Sequence, residues 1–145
     1  MLLGEFEGKI GDKQRVALPK QFRSILGDKI IITKGFERSL IIVSEKNYSA
    51  LLEGTEGKPF ITKEIRETQR YLLGGASYIK LDSKGRIIVP EYLRNHAGLT
   101  YDVVFLGIQR YVEVWDKETW KKHSQKLTQT IETVAQRLSG ERKDE

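Results

Sequence analysis

Apolar and polar positions alternate in short runs along most of this chain, which is the pattern of half-buried strands. "SYIKL" (77–81) and "RIIVP" (86–90) alternate on either side of "DSKG" and read as two strands of a hairpin. In that turn Asp82 can bond its own backbone and Gly85 can take a positive φ. Pro90 opens a short helix, "PEYLRNHAG", that Gly98 ends. Two strands follow, "DVVFLG" and "YVEVW", and then a helix capped by Asp116. In the first half "PKQFRSILG", "KIIITK" and "SLIIVS" play the same parts, so each half reads hairpin, short helix, hairpin, helix. Two stretches change period. In "KPFITKEIRETQRYLLGG" Ile61, Ile65, Thr68 and Leu72 share one helical face. In the last helix Trp120, Leu127, Ile131, Val134 and Leu138 form a stripe, expected to pack on the core or on another subunit.

The two halves are copies. "IGDKQRVALP" (10–19) repeats as "LDSKGRIIVP" (81–90) at an offset of 71 residues, Pro19 to Pro90. The same offset matches Gly4 with Gly75, Lys13 with Lys84, Arg15 with Arg86, Arg23 with Arg94 and Gly27 with Gly98. Further on the offset drifts slightly, aligning Ser44 with Asp116 and Tyr48 with Trp120. Each copy holds too few β-rich residues to bury a core alone. With no cysteine to staple them, the copies must pack on each other.

Composition narrows the function. The 145 residues are 39% apolar and 31% charged, as in a soluble globular protein. Lys and Arg number 25 against 20 Asp and Glu, giving a net charge of +5 and pI near 9.4, which admits a polyanionic partner. There is no cysteine for a disulfide, a thiolate metal site or a nucleophile. The start, "MLLGEFEGKI", lacks a secretory pattern, and no apolar run nears the ~20 residues a membrane helix needs, so a cytoplasmic protein is expected. His96 and His123 fall at non-matching positions without metal-ligand spacing, and no nucleophile-elbow, P-loop or dinucleotide motif occurs. "LLGGAS" (72–77) reads as a helix stop before a strand. No catalytic residue, metal or cofactor is expected.

The repeated turn carries the chemistry. Lys84 lies at its tip and Arg86 opens the next strand, two positions on and so on a similar side. Arg suits bidentate contacts to phosphate or guanine, Lys a point contact to phosphate, and a two-stranded ribbon fits a major groove. Asp82 can hold the turn and steer Arg86. In the first copy, "GDKQR", Gln14 replaces the glycine and Gly11 replaces the Asp, yet Lys13 and Arg15 persist. Gln14 at a positive φ would cost on the order of 1 kcal/mol. Turn-forming residues were lost while the basic pair stayed, which favours binding over a merely solvated turn.

Together the doubled unit, "LDSKGRIIVP", "RYLLGGAS" and "VEVWDKETW" resemble the MraZ family of bacterial transcriptional regulators, over Gly4 to about Leu138. The resemblance implies an α+β, mainly β fold. Two SpoVT-AbrB motifs, at 5–47 and 76–119, would intertwine as a pseudo-twofold swapped-hairpin β-barrel. A helical connector (48–75) and a C-terminal helix with a charged tail (120–145) would flank them. It further implies ring-shaped homo-oligomers, a nucleoid-associated cytoplasmic location and binding of double-stranded DNA. The implied target is tandem short repeats upstream of the protein's own cell-division and cell-wall gene cluster, generally with repression. The family's Asp-x-x-x-Arg signature fits Asp82 to Arg86, whereas the first copy has Asp12 one position late. The resemblance carries Lys13, Arg15, Lys84 and Arg86 as DNA contacts and Asp12 and Asp82 as supporting residues. Lys20 and Arg23 are further candidates for phosphate contacts. The competing reading is an oligomeric protein-interaction module whose basic loops bind an acidic partner. RNA is disfavoured by the scarcity of aromatic residues near the loops.

Overall fold

The computed structural model describes residues 1–52 and 61–143. Residues 53–60, including the start of the expected connector helix, and Asp144 and Glu145 of the tail lie outside the described residues. The chain forms β1 (Leu2–Lys9), β2 (Arg15–Ala17), α1 (Lys20–Leu26), β3 (Ile30–Lys34) and β4 (Leu40–Ser44). A 3-10 helix (Glu45–Leu52) and α2 (Lys63–Leu72) follow. The second half gives β5 (Ser77–Ile79), β6 (Arg86–Ile88), α3 (Glu91–Ala97), β7 (Asp102–Gln109), β8 (Tyr111–Asp116) and α4 (Lys117–Lys143). Pro19 and Pro90 stand just before α1 and α3, while Gly27 and Gly98 end them at φ of 76° and 61°. The Asp116 carboxylate caps α4, accepting the Thr119 backbone N–H at 3.3 Å.

Every pairing is antiparallel, in the order β1-β7-β8-β4-β3-β5, with β2 and β6 forming a separate ribbon. That order reads the same from either end once the halves are exchanged. β1 of the first half lies on β7 of the second, and β5 of the second lies on β3 of the first. A pseudo-twofold axis passes through the Ile41–Glu113 pair at the centre of the sheet and the Val16–Ile87 pair at the centre of the ribbon.

The expected hairpin within each half does not form as a ladder. At each turn a single bond closes the mouth, from Gly11 N–H to the Arg15 carbonyl (2.8 Å) and from Asp82 N–H to the Arg86 carbonyl (2.9 Å). Beyond it the strands part and pair with the other half. The reason is burial, because only as partners do β2 and β6 set Val16 and Ile87, each 1% exposed, onto one shared core. No pairing among the described residues joins β1 to β5, so in place of the expected closed barrel there is an open sheet with the ribbon across one face.

The main core fills the space between sheet and ribbon. Leu18, Phe22 and Leu26 from one half and Val89, Leu93 and Ala97 from the other meet Ile30, Ile32, Leu40, Ile42, Val103, Phe105, Val112 and Val114. The reverse face is covered by helices, which is why β3 and β4 read as nearly unbroken apolar runs. The end of α2 is pinned there, its Leu72 carbonyl accepting from Thr33 Oγ1 (2.7 Å) and Tyr48 Oη (2.6 Å). Of the expected α2 face, Leu72 is buried and Ile65 and Thr68 half-buried, whereas Ile61 precedes the helix and is exposed. Trp120 packs on Trp115, with ring centroids 5.2 Å apart, and so ties the start of α4 to β8. From Leu127 onward the α4 stripe leaves the core, with Leu127, Ile131, Val134 and Leu138 between 37% and 59% exposed.

The strand exchange depends on close backbone approach at Gly107, opposite Gly4 in the β1–β7 ladder. A Cβ there would collide with the Leu3 backbone nitrogen and lie 2.6 Å from Leu3 Cα. Gly107→Ala should therefore destabilise the protein by about 1–3 kcal/mol, the usual range for overpacking. Urea denaturation measures it, and hydrogen exchange should show β1 amides losing protection before those of β4.

Candidate nucleic-acid interface

Alternation along the ribbon sorts its residues onto two faces. Val16 and Ile87 point into the core. The register pairs Arg15 with Ile88 and Ala17 with Arg86, so these four share the outer face. Arg15 and Arg86 stand diagonally across the pseudo-twofold axis, a spacing of about 7–8 Å between diagonal positions of an antiparallel pair. Both are half-buried, while Lys13 and Lys84 are exposed at the flanking turns. Beside the ribbon lies an open depression of about 450 Å³, lined by Arg15, Tyr78, Lys80, Asp82, Arg86 and Ile88 among others.

The second turn is braced from within. Asp82 Oδ1 accepts the backbone N–H groups of Lys84 and Arg86, both at 2.9 Å. Its Oδ2 accepts Arg86 Nε at 2.7 Å, with both side chains about one-third exposed, at 32% and 30%. The Arg86 backbone N–H is the main reason that the Asp82 carboxyl is held below the usual carboxylate range. Partial burial opposes that shift, while the Arg86 guanidinium and the Lys84 N–H reinforce it. Gly85 adopts φ 74°, as the turn requires. It is also buried, because the Arg23 guanidinium of the first half lies against it. A Cβ on Gly85 would collide with Arg23 Nη1 and Cζ and sit 2.8 Å from its Cδ. Arg23 Nη1 lies 3.5 Å from the Lys84 carbonyl, and its buried Nε has no hydrogen-bond partner among the described residues. Arg23, a candidate for a phosphate contact, thus backs the opposite loop, and Lys20, the other candidate, is exposed at the start of α1.

The first turn keeps the frame by other means. Gln14 N–H donates to the Gly11 carbonyl (3.2 Å), as Gly85 N–H does to that of Asp82 (3.0 Å). Gln14 does take a positive φ, 61°, and Lys13 joins it at 58°. Arg15 Nε donates to the backbone carbonyl of Asp12 at 3.2 Å, so here a main-chain oxygen occupies the role that the Asp82 carboxylate has in the second copy. Arg94, the counterpart of Arg23, instead donates to the carbonyl of Val89 in its own half.

Sequence reasoning missed Lys80 and Ile88 beside the arginines. For Lys80 a signal existed, since the offset of 71 matches it with Lys9. His96 contacts Tyr71, and His123 packs at a tilt against Trp115 and Trp120, so both belong to aromatic clusters. Among the described residues no group of three or more His, Asp or Glu could hold a metal ion, and no helix is long and apolar enough to cross a membrane.

The brace makes the second turn sensitive to acid. With a lowered folded value, Asp82 stabilises the fold above the ordinary carboxylate pKa of about 3.9, and loses that effect as pH falls through the lowered value. The melting temperature of the wild type should exceed that of Asp82→Asn at pH 7, and the gap should close as pH drops below 4. A gap independent of pH would show that the carboxylate charge is immaterial.

Comparison with known proteins gives a consistent result. The chain matches the MraZ protein family twice, over residues 1–71 and 72–141. It is 36% identical over 138 residues to a protein of Caldanaerobacter subterraneus named transcriptional regulator MraZ, covering 95% of this chain and 96% of that one. A protein of the same name from Acetivibrio thermocellus is 36% identical over 139 residues, covering 96% and 97%. A third, from Heliobacterium modesticaldum, is 36% identical over 138 residues, covering 95% and 96%. With one family domain in each of its exchanged halves, the chain belongs to the MraZ family.

Proposed function

We propose that this protein is a transcriptional regulator that binds double-stranded DNA through the outer face of the β2–β6 ribbon and its two flanking turns. The observation that carries the reading is the placement of Arg15 and Arg86 on one outward face, diagonal across the axis, with Lys13 and Lys84 beside them. A ribbon of this width enters a major groove, where arginine reads guanine O6 and N7 and lysine neutralises phosphate. Asp82 orders the second turn and the Asp12 carbonyl orients Arg15, and in this reading Lys20, exposed at the start of α1, adds a phosphate contact. The strand exchange supports the swapped-hairpin motifs at 5–47 and 76–119, joined by the connector at 48–75 and followed by the C-terminal segment at 120–145. No catalytic chemistry enters, since the family is one of regulators and not of enzymes. Following the family, the target is tandem short repeats upstream of the protein's own cell-division and cell-wall cluster, repressed by a nucleoid-associated, cytoplasmic oligomer.

Fluorescence anisotropy on DNA from upstream of the protein's own gene, with scrambled duplex as competitor, tests the reading. Arg15→Ala/Arg86→Ala should weaken binding more than tenfold while circular dichroism stays unchanged, since each bidentate base contact contributes about 1–3 kcal/mol. Wild-type affinity should fall steeply with salt as phosphate contacts release counterions. Equal binding to both duplexes, or none, would move the function to an acidic protein partner.

Self-association has its own support. The exposed large apolar residues of α4 are spaced four, three and four apart, at Leu127, Ile131, Val134 and Leu138, which is the 3.5-residue period of a helix-pairing seam. Such a stripe on a helix that leaves its core is covered in a homo-oligomer. Replacing Ile131 and Val134 with Gln should shift the species seen in light scattering to lower mass. Affinity for a multi-repeat duplex should fall more than affinity for a single repeat, because linked contacts act through effective concentration.

A further inference from the structure

The outer face of the ribbon holds more than arginine. Ile88 is 53% exposed, directly across the ladder from Arg15, and lines the same depression as Arg15, Lys80 and Arg86. Its counterpart in the first half, Ala17, sits across from Arg86 and is also apolar and exposed. The face therefore alternates cation and hydrocarbon along each strand, with no carboxylate, amide or hydroxyl among its four side chains.

An isolated surface isoleucine needs no explanation. This one stands a cross-strand neighbour's distance, about 4.5–5.5 Å between Cβ atoms, from a residue proposed to read bases. Adjacent base pairs rise by a comparable 3.4 Å. In the major groove the one apolar group on a base edge is the C5-methyl of thymine, which aliphatic side chains recognise by contact. A β-branched side chain on a strand is stiff at χ1, so its methyl groups have a fixed position relative to the guanidinium opposite.

We infer that Ile88 is a specificity residue, contacting the C5-methyl group of a thymine next to the base addressed by Arg15. The inference deepens the DNA-binding reading above and rests on it. Ala17 is too short to make an equivalent contact at the same depth, so the two ends of the site that one chain covers are read unequally. The Arg15–Ile88 end prefers thymine beside its guanine. The Arg86–Ala17 end tolerates any neighbour.

Thymidine and deoxyuridine differ only by that methyl group, which makes the test chemical. Wild-type protein selects duplexes from a randomised pool, and the recovered site is resynthesised with deoxyuridine replacing each thymine in turn. Anisotropy titrations then compare wild type, Ile88→Ala and Ile88→Val on each duplex. One substitution should weaken wild type about fourfold, the factor that one buried methyl contributes. Ile88→Ala should bind the thymine and deoxyuridine duplexes alike, and Ile88→Val should retain most of the discrimination. Wild type indifferent to every swap, a recovered site without thymine, or an undiminished methyl effect in Ile88→Ala would each overturn the inference and leave DNA binding intact. Failure of the wild type to enrich any duplex would overturn both. The swap on wild type decides the matter even if a variant fails to fold.

Discussion

The pairing of β2 with β6 is what the rest of the architecture hangs on. Each contributes three residues and one buried apolar side chain, far too little for an independent ribbon. Their pairing places Val16 and Ile87 over the middle of the sheet and forces the preceding strands apart, so that β1 runs to β7 and β5 to β3. Each half then owns only two neighbouring strands of the main sheet, β3–β4 or β7–β8, and receives its outermost strand from the other. Neither half can keep its fold if the other melts. The same pairing turns the exposed alternate positions outward, which puts two arginines separated by 71 residues of sequence on one small surface. Core formation and assembly of the candidate site are therefore one event.

Against that symmetric frame the two turns are ordered unequally. The second has a glycine at its positive-φ position, a carboxylate accepting three donors, and a guanidinium from the other half behind it. The first places two non-glycine residues, Lys13 and Gln14, in the left-handed region at a cost on the order of 1 kcal/mol each, and steadies Arg15 with one main-chain carbonyl. Arg94 does not reach across as Arg23 does. In the proposed role the second turn presents an arginine held by a carboxylate, while the first presents one held by a single main-chain carbonyl.

Much of this was legible in the sequence, and what was not has a common cause. The repeat fixed where strands, turns and short helices begin, because alternation, Pro19 and Pro90, Gly27 and Gly98 are local signals that local structure obeys. The positive φ of Gln14 followed from its alignment with Gly85. Strand partners were another matter, since "SYIKL" and "RIIVP" look like a hairpin to any reading that sees one half at a time. Only the shared core makes the distant pairing win. The buttressing by Arg23 was invisible for the same reason, because its neighbour is Gly85, 62 positions on and in the other copy. Periodicity showed that α4 has an apolar stripe but did not tell where the body of the protein would stop beneath it. It stops after His123, which packs on Trp115, and leaves Leu127 to Leu138 uncovered.

The fused repeat also explains why such asymmetry can exist. Two identical chains joined by a true twofold axis would present identical turns, and any change to one would appear in both. A single chain carrying both copies can alter one turn, or replace an alanine by an isoleucine beside one arginine, and leave the other alone. The frame that holds the arginines is set by backbone pairing and by Val16, Ile87, Phe22 and Leu93, which tolerate little change. The outer positions 17 and 88 make no core contact and are free to diverge. A surface built this way can bind an asymmetric sequence with a nearly symmetric scaffold, and repeating it around an oligomer would set identical asymmetric readers in a fixed order. Under the proposed function, tandem direct repeats rather than palindromes are the DNA that such an oligomer would fit.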